Sequence, residues 1–164
     1  MPDQDATKNA SKGNTGTVND PYRGYNFRVE IQGVADAAFT ECSGMGASVH
    51  AIRYAEGRSR IVRRIPGPVE YADITLRYGL TSSADLWNWM LSGVNGKVER
   101  RNVSIVLYDS DGAREVMRWN LAQAWVSRWN AAPLDAMARE IAIESMTIVY
   151  ETLERVAPAG GAVA

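Results

Sequence analysis

Residues Val103 to Leu121 read VSIVLYDSDGAREVMRWNL and contain a clear indication of how the chain folds. Two segments with strand-like composition, VSIVLY and REVMRWNL, flank the tetrapeptide DSDG. Aspartate, serine and glycine are typical of the tight turns that join antiparallel strands at close range. The stretch therefore predicts a β-hairpin whose turn lies at Asp109 to Gly112.

Two segments upstream of the hairpin alternate between apolar and polar side chains. They are YNFRVEI at residues 25–31 and ADITLRY at residues 72–78. A period of two places the apolar groups on one face, which is typical of a half-buried strand. Pro66, Gly67 and Pro68 precede the second segment, and this composition predicts a turn before the strand begins.

Two segments downstream of the hairpin are also strand-like. AQAWVSRW occupies residues 122–129, and EIAIESMTIVY occupies residues 140–150. The apolar phase of the second segment slips: Ile141 shares one face with Ile143, whereas Met146 lies on the other. A β-bulge would explain the slip, and so would a strand that is covered on both sides at different points along its length. The second explanation requires a partner.

One segment, TSSADLWNWMLSG at residues 81–93, has a helical period instead. It begins with a Ser82-x-x-Asp85 capping pattern and predicts a short helix that ends near Gly93. The predicted apolar stripe contains Leu86, Trp87, Met90 and Leu91. Trp89 points away from this stripe, so its indole either folds back onto its own domain or is covered by another subunit.

These elements predict a mainly β fold, an antiparallel β-barrel or sandwich subunit with one short α-helix. At 164 residues the chain has room for one domain, which we place at residues 21–155. The composition of residues 1–20 predicts a flexible N-terminal arm, and that of residues 156–164 predicts a flexible C-terminal tail. The sequence contains neither an apolar run of about 20 residues nor a signal peptide, so we expect synthesis in the cytoplasm and no membrane anchor.

The composition offers little for catalysis or metal binding. Cys42 is the only cysteine and His50 the only histidine, so the chain can form neither an internal disulfide nor the usual His/Cys metal site. We interpret Cys42 as a buried small residue rather than a nucleophile. A net charge of −1 gives no support for a nucleic-acid partner. We therefore expect no enzymatic activity and no cofactor.

The charges are unevenly distributed along the chain. Residues 48–65 contain five arginines and one acid, whereas residues 135–154 contain five acids and one arginine. Two oppositely charged, solvated faces would explain this pattern. A head-to-tail contact between copies would explain it as well, because such heterologous interfaces make rings and filaments.

Seven blocks of the sequence resemble, in the same order, the tail-tube family shared by contractile phages and phage-derived extracellular injection systems. Between about Asp20 and Arg155 the blocks are DPYRGYNFRVEI, ECSGMG, IPGPVEYADITLRYGLT, LWNWM, VSIVLYDSDG, VMRWNLAQAW and REIAIESMTIVYETLER. The resemblance implies subunits that form six-membered rings, whose strands merge into one continuous barrel around a channel. It also implies that the rings stack into a tube that has no catalytic residue and no cofactor.

In that family the tube lies inside a contractile sheath, grows from a baseplate and hub, and ends at a terminating cap. Sheath contraction drives the tube through a target envelope. The resemblance therefore implies assembly in the bacterial cytoplasm and action in an extracellular or membrane-attached injection particle, or in a virion tail. It also implies that the lumen can hold protein cargo or DNA.

The two charged segments supply candidate contacts for such an assembly. We interpret residues 48–65 as a loop that reaches an adjacent subunit or ring. The residues predicted at the interface are Arg58, Arg60, Arg63 and Arg64, together with Trp89, Glu140, Glu144 and Glu151. We expect the arginines to pair with the glutamates of a neighbouring copy.

Two other functions are open on the sequence alone. The first, within the same class, is a baseplate-proximal paralogue that initiates the tube. The second is a small-ligand-binding β-barrel, which would keep an apolar interior open and stay monomeric or dimeric.

Overall fold

The computed structural model describes residues 24–34, 38–55, 57, 61–80, 84–137 and 139–157. Over these ranges the chain forms antiparallel strands and a single short helix, which confirms the predicted fold class. In chain order the elements are β1 (Phe27–Ile31), β2 (Phe39–Ser43), β3 (Gly46–Ala55), β4 (Val62–Ala72), β5 (Ile74–Gly79), α1 (Asp85–Val94), β6 (Arg101–Tyr108), β7 (Glu115–Asn130), β8 (Ile143–Val149) and β9 (Thr152–Val156). The predicted N-terminal arm lies outside the described residues, whereas Val156 of the predicted tail still belongs to β9.

Strand β7 joins the two halves of the main sheet. The strand order is β1-β6-β7-β8-β5-β2, and β9 also pairs with β7. Gln123 divides β7 with a φ of 55°, and the pairing with β6 shifts register beside it. Because an extra residue bends a strand, the segments predicted as REVMRWNL and AQAWVSRW form one bent strand. We refer to β1, β6, β9 and the first part of β7 as sheet I, and to the second part of β7, β8, β5 and β2 as sheet II.

The hydrophobic core lies between sheet I, sheet II and the helix. Its buried members are Val29, Ile31, Val103, Ile105, Leu121, Ile74, Leu76, Tyr78, Ala124, Val126, Met146, Ile148, Tyr150, Leu86 and Trp89. The alternation predicted for the two upstream segments is confirmed, since their buried residues fall on every second position. Each fully buried large apolar side chain contributes about 1.5–3 kcal/mol. This cluster is therefore the main source of stability of a single copy.

The predicted hairpin is confirmed. Strands β6 and β7 pair from Arg101 to Tyr108, and the backbone N–H of Gly112 donates to the carbonyl of Asp109 at 2.8 Å. Gly112 has a φ of 70°, a left-handed conformation that glycine adopts without steric cost. The turn chemistry of DSDG thus fixes the connection as expected.

The turn predicted at Pro66 to Pro68 is wrong, because these residues lie inside β4. Within the part of the chain that the structure describes, strand β4 pairs only with β3, so one side of it has no ladder that a proline could break. The register shifts between Val49 and Ala51 on β3, where the extra residue of β4 is accommodated. A Cβ atom on Gly67 would lie 2.8 Å from the backbone oxygen of His50, so this close approach requires glycine.

Strands β3 and β4 form a separate two-stranded ribbon rather than the loop predicted at residues 48–65. The ribbon prolongs the β2–β5 pair, since Ser43 lies opposite Thr75 and Gly46 lies opposite Ala72. Gly44 makes the junction with a φ of 90°, and a Cβ atom there would lie 2.4 Å from the backbone oxygen of Asp73. The ribbon therefore extends past the end of sheet II from a tightly packed base.

The slipped apolar phase of residues 140–150 does not come from a bulge in β8. Strand β8 pairs with β5 without a register shift from Ile143 to Ile148. Met146 and Ile148 face the core, whereas Ile141, just before the strand, is 81% exposed. Within one copy, this end of the segment keeps an uncovered apolar side chain.

Within the described residues, the sheets do not close on themselves. Sheet I ends at β1 and β9, and sheet II ends at β2. The amide of Tyr108 donates to Asn26, and that of Gln32 donates to Asn102, so the even-numbered residues of β1 bond to β6. The backbone groups of Phe27, Val29 and Ile31 consequently point toward the open edge.

Candidate subunit interface

The helix buries a different face from the one predicted. Leu86 and Trp89 are its buried residues, and Trp87 is 44% exposed. The helix begins after Ala84, which occupies the N-cap without a side-chain hydrogen bond, and Ser82 of the predicted capping pattern lies outside the described residues. The helix extends to Val94, close to the predicted end.

Within one copy, Trp89 folds back onto its own domain, the first of the two alternatives given by the sequence. Its side chain is 1% exposed, and its indole Nε1–H donates to the backbone oxygen of Glu99 at 2.8 Å. The guanidinium of Arg101 lies over the ring, 5.5 Å from its centroid. A buried indole with a satisfied N–H anchors the helix to its own domain. Leu86, Trp89 and Met90 have the i, i+3 and i+4 spacing of one helix face, a spacing as compatible with the sequence as the predicted stripe.

The ribbon exposes both apolar and basic side chains. Val49, Ile52, Tyr54, Val62, Ile65 and Val69 are between 44% and 58% exposed. Arg53 lies directly opposite Arg64, and Tyr54 lies directly opposite Arg63. Within the described ranges none of these three arginines forms an ion pair, and Arg58 and Arg60 lie outside those ranges.

The three predicted glutamates lie apart from the ribbon and differ in their surroundings. Glu140 is exposed just before β8, and Glu144 is half-buried on β8 opposite Tyr78. Glu151 forms an ion pair with Arg100 of the same copy. Among the described residues of one copy, neither Arg63 nor Arg64 forms an ion pair with a predicted glutamate, and Glu151 already has a partner.

An aromatic groove lies between the start of the helix and the β7–β8 end of sheet II. It has a volume of about 270 Å³ and is lined by Tyr78, Leu80, Ala84, Leu86, Trp87, Trp129 and Glu144. The rings of Trp87 and Trp129 meet edge to face with centroids 4.9 Å apart. Burial, opposed by a hydrogen bond with Trp129 and reinforced by the Glu144 carboxylate, raises the pKa of Tyr78 to about 12. The groove thus combines apolar walls with one carboxylate, and sequence reasoning missed all of it except Glu144.

The arginine on the outer face of sheet I is, by contrast, fully satisfied. Arg118 makes two hydrogen bonds to Glu115, at 2.8 Å and 2.9 Å, and one to Glu30 at 2.9 Å. These contacts raise the pKa of Arg118 and lower that of Glu115. Bidentate pairing of this kind holds both side chains in a fixed geometry. This network leaves no unpaired charge for a partner, unlike the ribbon.

The described residues contain no group of three or more His, Cys, Asp or Glu side chains that could hold a metal ion. In the same part of the chain, no helix is long and apolar enough to span a bilayer. Cys42 is half-buried beside the core. Burial, with a smaller effect of the Glu41 charge, raises the pKa of its thiol to about 11.

We expect Cys42 to be almost inert in the folded protein. With a pKa near 11, only about one thiol in a thousand is ionised at pH 8, compared with roughly a quarter for an unperturbed cysteine. Alkylation by iodoacetamide at pH 8 should therefore be about a hundredfold slower in the native protein than in denaturant. Equal rates in the two states would contradict the burial of this thiol and reopen a nucleophilic role.

The chain matches one family model and is similar to several solved structures. A family model described as T4-like virus tail tube protein gp19 matches residues 23–154. The chain is 27% identical to a subunit in the extended sheath–tube complex of an extracellular contractile injection system, PVC, with a TM-score of 0.77 over 85% of this chain and 94% of that one. It is 26% identical to a subunit in the PVC sheath/tube terminator, with a TM-score of 0.76 over 85% of this chain and 99% of that one.

A more distant likeness concerns the fold alone. Hcp1 from Flavobacterium johnsoniae is 14% identical, with a TM-score of 0.52 over 80% of this chain and 94% of that one. No curated protein matches the sequence. The same arrangement of strands thus recurs at very low identity.

Proposed function

The chain belongs to the T4-like virus tail tube protein family and is a structural subunit of an inner tube, and from this premise we propose that its copies close into six-membered rings that stack into a hollow tube. The observation that carries this proposal is the open edge of the main sheet. The outward backbone groups of Phe27, Val29 and Ile31 need hydrogen-bond partners if this edge is to avoid uncontrolled pairing. A sister copy supplies such partners in a closed ring, which removes the edges altogether.

The proposed partners follow from where tubes of this family work. Two solved relatives above 25% identity belong to a sheath–tube complex and a sheath/tube terminator. We infer that this chain likewise lies inside a contractile sheath, grows from a baseplate and hub, and ends at a terminating cap. Contraction of the sheath would drive the tube and its protein or DNA content through a target envelope. The proposed role is mechanical and involves no catalysis.

The packed interior argues against a small-ligand-binding barrel. Ile74, Leu76 and Met146 are completely shielded from solvent, and Trp89 fills the space beneath the helix. Side chains therefore occupy the volume that a ligand would need between the two sheets. The groove beside Trp87 is open on the surface rather than enclosed by the barrel.

Sedimentation velocity of the purified chain over a range of concentrations tests assembly against the ligand-barrel alternative. We expect ring-sized species and larger polymers to replace the 18.0 kDa monomer as concentration rises. A chain that sediments only as monomer or dimer at every concentration would favour the ligand-binding barrel and remove the support for the tube.

A further inference from the structure

Two uncovered surfaces lie at opposite ends of the β2–β5 pair. The ribbon continues this pair beyond Ile74, where the base of β4 meets the base of β3 at Gly46 and Ala72. The aromatic groove lies at the other end, where Gly79 and Leu80 lead toward the helix. Along the β2–β5 pair, one end of the subunit therefore carries the ribbon and the other end carries the groove.

The ribbon is poorly suited to exist without a covering surface. An isolated two-stranded ribbon is marginally stable in water, and like charges directly opposite each other weaken it further, as Arg53 and Arg64 are. One face of its outer half carries Ile52 opposite Ile65 and Tyr54 opposite Arg63. Because paired residues share a face, this face presents apolar surface with a single guanidinium beside it.

The groove offers the complementary chemistry. Leu80, Trp87 and Trp129 supply its apolar walls, and Glu144 supplies a carboxylate. The loop between β7 and β8, which borders this end of sheet II, carries the highly exposed Leu134, Met137 and Ile141. The charged residues on this loop, at the helix start and in the groove are Asp85, Asp135, Arg139, Glu140 and Glu144, four acids against one base. The groove end is thus apolar and acidic, whereas the ribbon is apolar and basic.

We propose that the aromatic groove of one copy receives the ribbon of a second copy in the adjacent ring, with Arg63 facing Glu144. This inference rests on the proposed tube and specifies how its rings hold together. Lateral closure of a ring uses the edges of the sheet, so the ends of the strands are left for contacts between rings. Each copy has one ribbon and one groove, so each copy donates one contact and accepts one, and the stack propagates without closing.

The proposal accounts for two features that a single copy leaves unexplained. The exposed Ile141, on the wrong phase for its own core, would border the seated ribbon. Arg63, which forms no ion pair with any described residue of its own copy, would gain a carboxylate in a partly dehydrated site, where charge-assisted hydrogen bonds are stronger than in water.

Site-specific cross-linking in assembled tubes tests the contact. In a Cys42→Ala background, which leaves no other cysteine, chains with Ile65→Cys are co-assembled with chains carrying Leu80→Cys and treated with a short bismaleimide. Covalent dimers are expected in this mixture. A matched control replaces Leu80→Cys with Val98→Cys, since Val98 is 47% exposed but lies outside the groove.

The outcomes separate this inference from the proposed function. Tubes that form without cross-linking, or with equal cross-linking in the Val98→Cys control, would overturn the ribbon-in-groove contact and leave the tube standing. A wild-type chain that never assembles would overturn the tube and the contact together.

A single substitution tests whether the contact joins successive rings. Trp87→Ala removes an exposed wall of the groove, so the thermal unfolding midpoint of the monomer should barely change. Isolated rings should persist while mean tube length in electron micrographs falls at least tenfold. Tubes of wild-type length, or a loss of the rings themselves, would overturn the assignment of the groove to ring stacking.

Discussion

A chain that carries both Arg63→Glu and Arg64→Glu should fold as a monomer and fail to form tubes. Both arginines are exposed and make no ion pair within the described residues, so their loss removes no contact that holds the subunit together. A carboxylate at position 64 would even face Arg53 across the ribbon. At the proposed contact, however, the charge that faces Glu144 changes from attractive to repulsive, and the second substitution, on the other face of the ribbon, adds negative charge near an acidic surface. Like-charge juxtaposition costs several kcal/mol.

The loss should be large because the contact repeats in every subunit. Each 1.4 kcal/mol is about a tenfold change in association, so polymer should fall below detection by pelleting at concentrations where the wild type pellets. The matched control, Arg63→Lys with Arg64→Lys, keeps the charge and should retain tubes. Charge reversal on the acidic side, with Glu140→Arg and Glu144→Arg, should restore assembly of the reversed chain. Wild-type tube lengths in the reversed chain alone would dispose of the proposed ion pairs.

Trp89→Ala should cost the isolated subunit about 3–5 kcal/mol of its free energy of unfolding, the range for buried large aromatic residues. The substitution removes a fully buried ring, leaves the backbone oxygen of Glu99 without its donor, and takes away the surface under Arg101. Urea unfolding should be followed in dilute solution, where subunits are separate and assembly adds nothing to stability.

The control for Trp89→Ala is the neighbouring indole. Trp87→Ala should change the free energy of unfolding by only about 1 kcal/mol, because this side chain is 44% exposed and loses mainly its edge-to-face contact with Trp129. Equal losses in the two variants would show that the helix does not pack on its Trp89 face. Together the pair separates a residue that stabilises the subunit from one that we assign to assembly.

The local elements were predictable where one face of a strand is buried. The period of two predicts strands β1 and β5, and the composition of Asp109 to Gly112 predicts a tight turn. Neither pattern fits another structure, because burial and turn chemistry act within a few residues. The continuity of β7 was not predictable in this way. It depends on Gln123 adopting a positive φ at a register shift, and the conformational preferences of glutamine do not predict such a φ.

The helix face and the ribbon were harder for a different reason. Placing Trp87 in the buried stripe gave a hydrophobic face as plausible as the true one, and only the position of Glu99 relative to the helix decides between them. The Pro66 to Pro68 segment has turn composition, yet it is a strand because the ribbon leaves one side of β4 free for prolines. Tertiary context overrides local preference at both places.

The candidate interface could be predicted only in outline. The sequence shows the segregation of arginines and glutamates, and among the described residues Arg63 and Arg64 form no ion pair on the ribbon. The groove that we assign as the target of Arg63 brings Leu80, Trp87 and Trp129 together from separate parts of the chain, so no sequence pattern contains it. Glu151 was predicted at the interface, but the sequence could not show its ion pair with Arg100 of the same copy, because the two residues are far apart in the chain.

Cryo-electron microscopy of the assembled protein tests most directly whether sister copies complete the open sheet. We expect closed rings of six copies, in which the outward backbone groups of Phe27, Val29 and Ile31 are hydrogen-bonded to a strand of the adjacent copy. A map of well-formed particles in which the edge of β1 faces solvent, or in which copies touch only through side chains, would contradict the continuous barrel on which the proposed tube depends.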